Sequence, residues 1–437
     1  MELVYDRRIA DLVEKQFVEW YGIQWDTSVT SPVCTRIGDS QLHKHLPVQS
    51  LMKGCVLNDA GAVVYYLNPY DWTKKMDGTA SKLDGTDGQV MVELPAHYRR
   101  FDSPTATLRQ CKISLYALTG FTYVPSKYIG AYEAALQRST SKLCSVVNLA
   151  TDYRGGDNNA TRDALASTFL GKAATSISRT NYRTYARNRG SVNWNLLTYD
   201  SYKSMFWLYF IEYANLNSQT AVNTAKDANG YAQGGLGNGV TDMNGTEWSN
   251  FNGYNPFVPC GFTNTLGNFS GELTYTAIDF GGAGANRTTK PNRYRGIENP
   301  FGHVWKWIDG VNIEFQSAAA GGLSKLWTCS LPANFTDANY ANYTYLGNLS
   351  RANDYIKEML AGEIMPSAQG AGAGSSTYWS DYAYMANIPD SGTDLRGVIF
   401  GGSANYGAAA GLGYSISNNA PSFTDPAVGS RLCFLGA

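Results

Sequence analysis

Residues 396–434 read RGVIFGGSANYGAAAGLGYSISNNAPSFTDPAVGSRLCF, and the character of the whole chain turns on this stretch. From residue 396 to the end there are eight glycines and seven alanines, and only Arg396, Asp425 and Arg431 carry charge. That composition suits neither a solvated tail nor a helix. Glycines at 401, 402, 407, 411 and 413 would each weaken a helix interior, and each permits unusual backbone angles or close approach. Short strands joined by shaped loops are expected. The apolar ends, 397–400 and 431–435, read as buried strands. The middle carries Asn405, Tyr406, Tyr414, Ile416, Asn418, Asn419, Phe423 and Asp425 on a small-residue backbone, so rigid strands would hold a polar and aromatic loop surface.

Working outward, STYWSDYAYMANIPDSG at 376–392 follows the loop QGAGAGSS. Tyr378, Ser380, Tyr382 and Tyr384 alternate along it and read as further members of that surface, with an ordinary aromatic strand as the plain alternative. Residues 351–361 have Tyr355, Ile356, Met359 and Leu360 spaced for the buried side of a short helix that Gly362 ends. In 295–315, RGIENPFGHVWKWIDGVNIEF, alternation puts Trp305 and Trp307 on one side of a strand and Val304, Lys306 and Ile308 on the other. The tryptophans are expected to brace the core beneath the loops. Residues 230–284 read as long inserted loops anchored by Trp248, Phe251, Tyr254 and Phe257, too aromatic for a disordered linker.

Helices are expected at 176–188 and 200–218; in the second, Phe206, Trp207, Tyr209, Phe210 and Tyr213 form an aromatic cluster suited to a core. Strands are expected at 90–94 and 111–118. The turn-rich LDGTDGQ at 83–89 marks a domain boundary. Before it lies a small β-rich module with a strand at 62–67. At the start, Tyr5, Ile9, Leu12, Val13, Phe17 and Trp20 form one apolar helical stripe that Gly22 can end.

The run GGSANYGAAAGLGYSISNNAPSF followed by GSRLCF resembles the C-terminal variable repeat of proteins diversified by retroelements. Those proteins carry a C-type lectin fold related to the formylglycine-generating enzymes. Segment 295–315 is similar to the run at the centre of that fold, with Lys306 where the run has a glutamate. VMVELP with YIGAYEA, at 90–95 and 128–134, resembles the opening of lectin-type domains in phage tail proteins. The resemblance implies an α+β chain with that lectin fold over 88–437, and an N-terminal module over 1–87 serving oligomerisation or virion attachment. It places the variable repeat at about 378–434. The implied ligand-binding positions are Tyr378, Ser380, Tyr382, Tyr384, Asn405, Tyr406, Ala409, Ile416, Asn418, Phe423, Asp425 and Ala427. Trp305, Trp307, Gly401, Gly402 and Arg431 are the implied scaffold.

Composition bounds the partners. The 437 residues hold 35 basic and 36 acidic side chains, a formal net charge of −1, so no nucleic-acid footprint is expected. The longest apolar run, 205–211, is too short to span a bilayer. The opening MELVYDRRIADLVEKQF threads charges through its apolar residues, unlike a secretory signal. Seven cysteines with no paired spacing point to folding in a reducing cytoplasm, so the seven Asn-x-Ser/Thr sequons carry no glycan argument. Charged residues are 16% of the chain and aromatics 13%, with 30 tyrosines; that balance is one of recognition surfaces.

Catalysis lacks its parts. Enzymes of the formylglycine-generating type use reactive thiols near the C-terminal repeat, but residues 396–432 contain no cysteine, and Cys433 sits inside RLCFL as a strand-packing residue. His43, His45, His97 and His303 are too scattered for a triad or a zinc site. Glu298-Asn299-Pro300 and Trp379-Ser380-Asp381 only echo the calcium patterns of lectins. A glycosidase pair is not visible in the display stretch, where Asp425 is the lone acid. No catalytic residue, cofactor or metal is expected. The expected function is receptor binding at a phage tail or tail-fibre tip, directed at a bacterial surface protein or glycan. Assembly in the host cytoplasm, contact with other tail proteins and a homotrimer go with it. The alternatives are a bacterial cell-associated recognition protein of the same diversified class and, behind it, an enzyme of the formylglycine-generating type.

Overall fold

Short runs with buried side chains pair edge to edge throughout this chain, and three larger sheets result in the computed structural model, which describes residues 19–155, 170–277 and 287–436. The stripe from Tyr5 to Phe17 lies outside the described residues. Gly22, expected to end that helix, instead sits inside the strand Tyr21–Asp26. This strand pairs with Thr35–Gly38 on one side and Leu108–Ser114 on the other, and the sheet continues through His97–Asp102 to Thr122–Val124.

A second sheet runs from Trp194–Leu196 through Leu432–Leu435, Lys127–Gly130, Gln89–Leu94 and Lys53–Leu57 to Val63–Asn68 and Asp71–Lys75. Strands from both sides of LDGTDGQ therefore share one sheet, and the last strand of the chain lies among them. The third sheet is built around the twelve-residue strand Trp305–Gln316, every residue of which is buried. Thr393–Phe400 pairs along one side of it, and Ser415–Ile416, Tyr382–Tyr384, Asn353–Met359 and Pro366–Gln369 follow in order.

The helix Tyr199–Tyr213 crosses the main core. Thr198 caps it, its hydroxyl accepting from the Ser201 amide, and Ala214 at φ 50° closes it by donating to the Phe210 carbonyl. That left-handed residue ends the helix short of 218. The helix is buried on nearly all sides, as an apolar-all-round helix must be. Phe206, Trp207 and Phe210 pack on one another and on Trp379, and Trp25 stacks on Trp207. Each buried ring stabilises the fold by roughly 1.5–3 kcal/mol relative to exposure. The other expected helix, at 176–188, forms at Arg179–Arg187, capped by Ser178.

The α+β class is not what forms: the described residues are mostly β, 35% strand against 14% helix. One source of the error is specific. Residues 351–361 are not a helix; Asn353–Met359 is a strand. Ile356 and Met359 both face the core three residues apart because bulges between Ile356 and Met359 shift the register against Pro366–Gln369. A bulge inserts one extra residue and re-aims the side chains after it, which imitates helical spacing. The other source is the long Gly/Asn/Thr-rich segments, which break into strands of two or three residues, too short to display alternation. Among the described residues, no helix is long and apolar enough to cross a membrane.

Candidate functional site

The segment between Phe400 and Gly429 leaves the third sheet opposite Lys306, rejoins it briefly through Ser415–Ile416, and ends opposite the same lysine. Phe400 is the antiparallel partner of Lys306, and Gly429 is the parallel partner of the same Lys306. Main-chain hydrogen bonds fix the path between. The Gly401 amide donates to the Tyr414 carbonyl at 2.8 Å, Ala404 to His303 at 3.1 Å and Gly407 to Thr241 at 2.9 Å. The carbonyls of Asn419, Pro421, Asp425 and Ala427 accept from the amides of Gly397, Arg179, Ser176 and Trp305. None of these bonds uses a side chain of the excursion.

Gly401 and Gly402 make the sharp exit, at φ 96° and 78°. A Cβ at Gly402 would stand 2.8 Å from the Tyr414 ring and 2.9 Å from Ala410, so a side chain is excluded by backbone angle and by space.

Inside the excursion is a hollow of about 220 Å³. Trp305, 3% exposed, is its floor. Asn405, Tyr406, Ile416, Phe423, Asp425 and Ala427 line it, and Trp248 and Tyr254 approach from the inserted region. Trp248 is placed by the helix Gly245–Asn252, whose Asn244–Glu247 capping box satisfies the first amides. The Trp305 ring meets Tyr406 at 5.2 Å and Tyr414 at 4.6 Å, both in geometries that aromatic pairs favour. Burial, with Tyr406 and Tyr384 beside it, pushes the Tyr414 phenol far above its usual value.

The other expected binding residues divide. Tyr382 and Tyr384 extend the aromatic row: their rings are 4.9 Å apart, and each lies 6.3 Å from Tyr414. Ala409 packs against the same cluster. Asn418 is partly buried beyond the hollow, its carbonyl accepting from the Asn387 amide group at 3.0 Å. Tyr378 and Ser380 are buried, at 7% and 2% exposure, and flank the core residue Trp379 with backbone at φ 52° and 58°. They are not brought to the hollow. Trp248 and Tyr254 are the lining residues that the sequence showed only as loop anchors; distance along the chain hid their destination.

Beneath the floor, side chains do the holding. His303 Nε2 accepts from the amides of Phe257 and Val258, so its proton sits on Nδ1 and is donated to Glu133 at 2.5 Å. The Lys306 ammonium ion-pairs with Glu133 at 3.0 Å and donates to the carbonyls of Gly302 and Val304. Burial opposes the Glu133 charge, but His303 and Lys306 outweigh it and hold the carboxyl at about 2. Arg431, fully buried, donates to the carbonyls of Gly130, Ala131, Glu298 and Asn299. Trp307 is also fully buried. Lys306, standing where the resembled run has glutamate, is thus one half of a buried ion pair.

Chemistry-bearing side chains are otherwise engaged in structure. All seven cysteines are buried, and burial pushes the thiols of Cys111 and Cys433 up to about 12 and about 11. Glu298 accepts from the amides of Gly261 and Thr263. Among the described residues, no three His, Cys, Asp or Glu side chains converge as a metal site would require.

No protein-family model matches the chain. No curated protein matches it either. Among solved structures it is similar to a Major Tropism Determinant P3c variant, at 12% identity over 70% of this chain and 50% of that one, with a TM-score of 0.25. It is also similar to the M1 variant, at 11% identity over 78% and 71%, TM-score 0.21. PvdO from Pseudomonas aeruginosa gives 12% identity over 82% and 98%, TM-score 0.30. The chain thus spans half the length of the P3c variant. With every TM-score below 0.5, these similarities carry no argument about this chain.

Proposed function

We propose that this chain is a non-enzymatic receptor-binding protein of a phage tail or tail-fibre tip. It recognises a bacterial surface protein or glycan through side chains around the Trp305-floored hollow, and its last repeat is diversified by a retroelement. The observation that carries this reading is the way the excursion is held. Its path is tied to strand, helix and loop by main-chain bonds, so the side chains at 405, 406, 416, 423 and 427 are replaceable without re-routing it, while Asp425 lines the hollow and also accepts from the Ala427 amide at 2.7 Å. A hollow lined by aromatic and small polar groups on a rigid base is what ligand recognition uses. The buried, up-shifted thiols support a binding role over oxidation of a substrate cysteine.

Two tests bear on it. Sequences of sister isolates should differ at Asn405, Tyr406, Ala409, Ile416, Asn418, Phe423, Asp425 and Ala427 while Gly401, Gly402, Gly407, Gly411 and Gly429 stay fixed; differences spread evenly over the chain overturn the reading. The gene neighbourhood should hold a near-copy of the final repeat beside a reverse transcriptase. Several weak sites acting together strengthen attachment, and a homotrimer serves that. Light scattering on the intact chain should give three times the 47.7 kDa chain mass.

A further inference from the structure

Away from the hollow, and sharing no lining residue with it, a groove of about 1100 Å³ opens beside the strand His97–Asp102 and the first turn of the helix Tyr199–Tyr213. Two cations lie along it without a carboxylate partner. Lys127 is 5% exposed, and its ammonium reaches only the main-chain carbonyl of Asp200, at 3.5 Å, the outer limit of a hydrogen bond. Arg99 lies over the Phe101 ring at 5.3 Å, and its Nη1 has no hydrogen-bond partner. Among the described residues, neither cation has a carboxylate within ion-pair distance. The other two cations of the groove are engaged, Lys203 with Glu363 at 2.7 Å and Arg100 with Asp102 at 2.9 Å.

A buried cation held by one long contact is costly unless an anion completes it. With Asp200 the one remaining acid of the groove, Lys127 and Arg99 leave a single positive charge unanswered, which matches one carboxylate. The rest of the lining favours a sugar. Ser126, Asn193 and Ser330 offer hydroxyl and amide groups to ring hydroxyls, while Tyr123, 55% exposed, and Phe335 offer faces for the C–H side of a ring. The volume exceeds the roughly 300–1,000 Å³ of ordinary small-molecule sites, room for several rings.

We propose that this groove binds a carboxylate-bearing saccharide, a uronic-acid segment of an acidic polysaccharide, with Lys127 and Arg99 taking the carboxylate. The site stands whether or not the hollow is a receptor site. Charge-assisted bonds from an ammonium and a guanidinium are stronger than neutral ones, so the acid, not the ring, decides affinity.

The test is calorimetry on the full chain with trigalacturonate, galactose and a glutamate-rich hexapeptide as probes. Saturable binding of trigalacturonate, at least about tenfold tighter than of galactose and of the peptide, is expected. Lys127→Met and Arg99→Gln should each weaken it by about tenfold or more, while Phe423→Ala binds as the unaltered chain does. The pH profile adds a readout that needs no substitution. Burial, with Arg99 and Lys203 nearby, pushes the Lys127 ammonium down to about 8 against the pull of Asp200 and Cys433, and His97 faces the same charges. Binding should therefore weaken between pH 7 and pH 9. Tighter binding of the peptide, equal binding of galactose, or a flat pH profile overturns the proposal, as does full affinity in folded Arg99→Gln. Should Lys127→Met fail to fold, Arg99→Gln and the pH profile decide.

Discussion

The strand Trp305–Gln316 and the excursion it carries meet at Trp305 and Lys306, yet they are held in place by opposite means. The strand and its underside depend on side chains: Lys306 and His303 on Glu133, Arg431 on four carbonyls, Trp305 on two tyrosine rings. The excursion depends on its backbone, whose amides and carbonyls bond to framework main chain and to the framework side chains of Ser218, Asp381, Gln219, Tyr202 and Asn387. The lesson is that the cost of change is divided between the two. Altering the floor should cost stability, and altering the rim should cost recognition.

The largest effect that would break this comparison is at Trp305. Trp305→Ala opens a cavity under the hollow and should cost about 3–5 kcal/mol, read as a lowered melting temperature. An unchanged melt would mean that the floor is not held by this side chain. Next is the buried charge. The folded Glu133 carboxyl lies below its ordinary 4.5, at about 2, so its contribution to stability is present above pH 4.5 and lost as pH falls toward 2. Denaturation midpoints should fall more steeply over that window for the unaltered chain than for Glu133→Gln.

Tyr406 tests the border between the regions. Its ring is partly buried and packs on Trp305 and Tyr414 at 5.2 and 5.1 Å, so Tyr406→Ala should lower stability by about 1 kcal/mol as well as weaken binding. A loss as large as that at Trp305 would move Tyr406 to the floor. The smallest stability effect belongs to Phe423, 36% exposed. Phe423→Ala should change stability by about 0.5 kcal/mol or less, while adsorption of the protein to bacteria that bind the unaltered chain falls sharply. Unaltered adsorption would place recognition elsewhere.

What could be read in the sequence follows the same division. The apolar ends of the display stretch, 397–400 and 431–435, fall in the strands Thr393–Phe400 and Leu432–Leu435, where residues 397–400 and 432–434 are buried. The aromatic helix Tyr199–Tyr213 likewise reads as core. Asn405, Tyr406, Ile416, Phe423, Asp425 and Ala427 converge because main-chain bonds at Gly407, Asn419, Pro421, Asp425 and Ala427 hold the path between them. Tyr378 and Ser380 alternate with the tyrosines that follow, but alternation presumes extended backbone, and their left-handed angles turn them inward. Asn353–Met359 misleads through its bulges. Trp248 and Tyr254 reach the hollow through tertiary packing, which no local pattern encodes.

The two feet of the excursion stand on either side of Lys306, roughly 10 Å apart at ordinary strand spacing. A loop whose ends are already pinned together has its closure settled by the sheet, whatever its contour length. The entropy of closing a flexible loop grows only with the logarithm of its length, about 0.6 kcal/mol for each doubling. Insertions at 422–424, the exposed residues between the main-chain ties at Pro421 and Asp425, are therefore tolerable in energetic terms. Length joins side-chain identity as something this excursion can vary while the sheet beneath keeps its register.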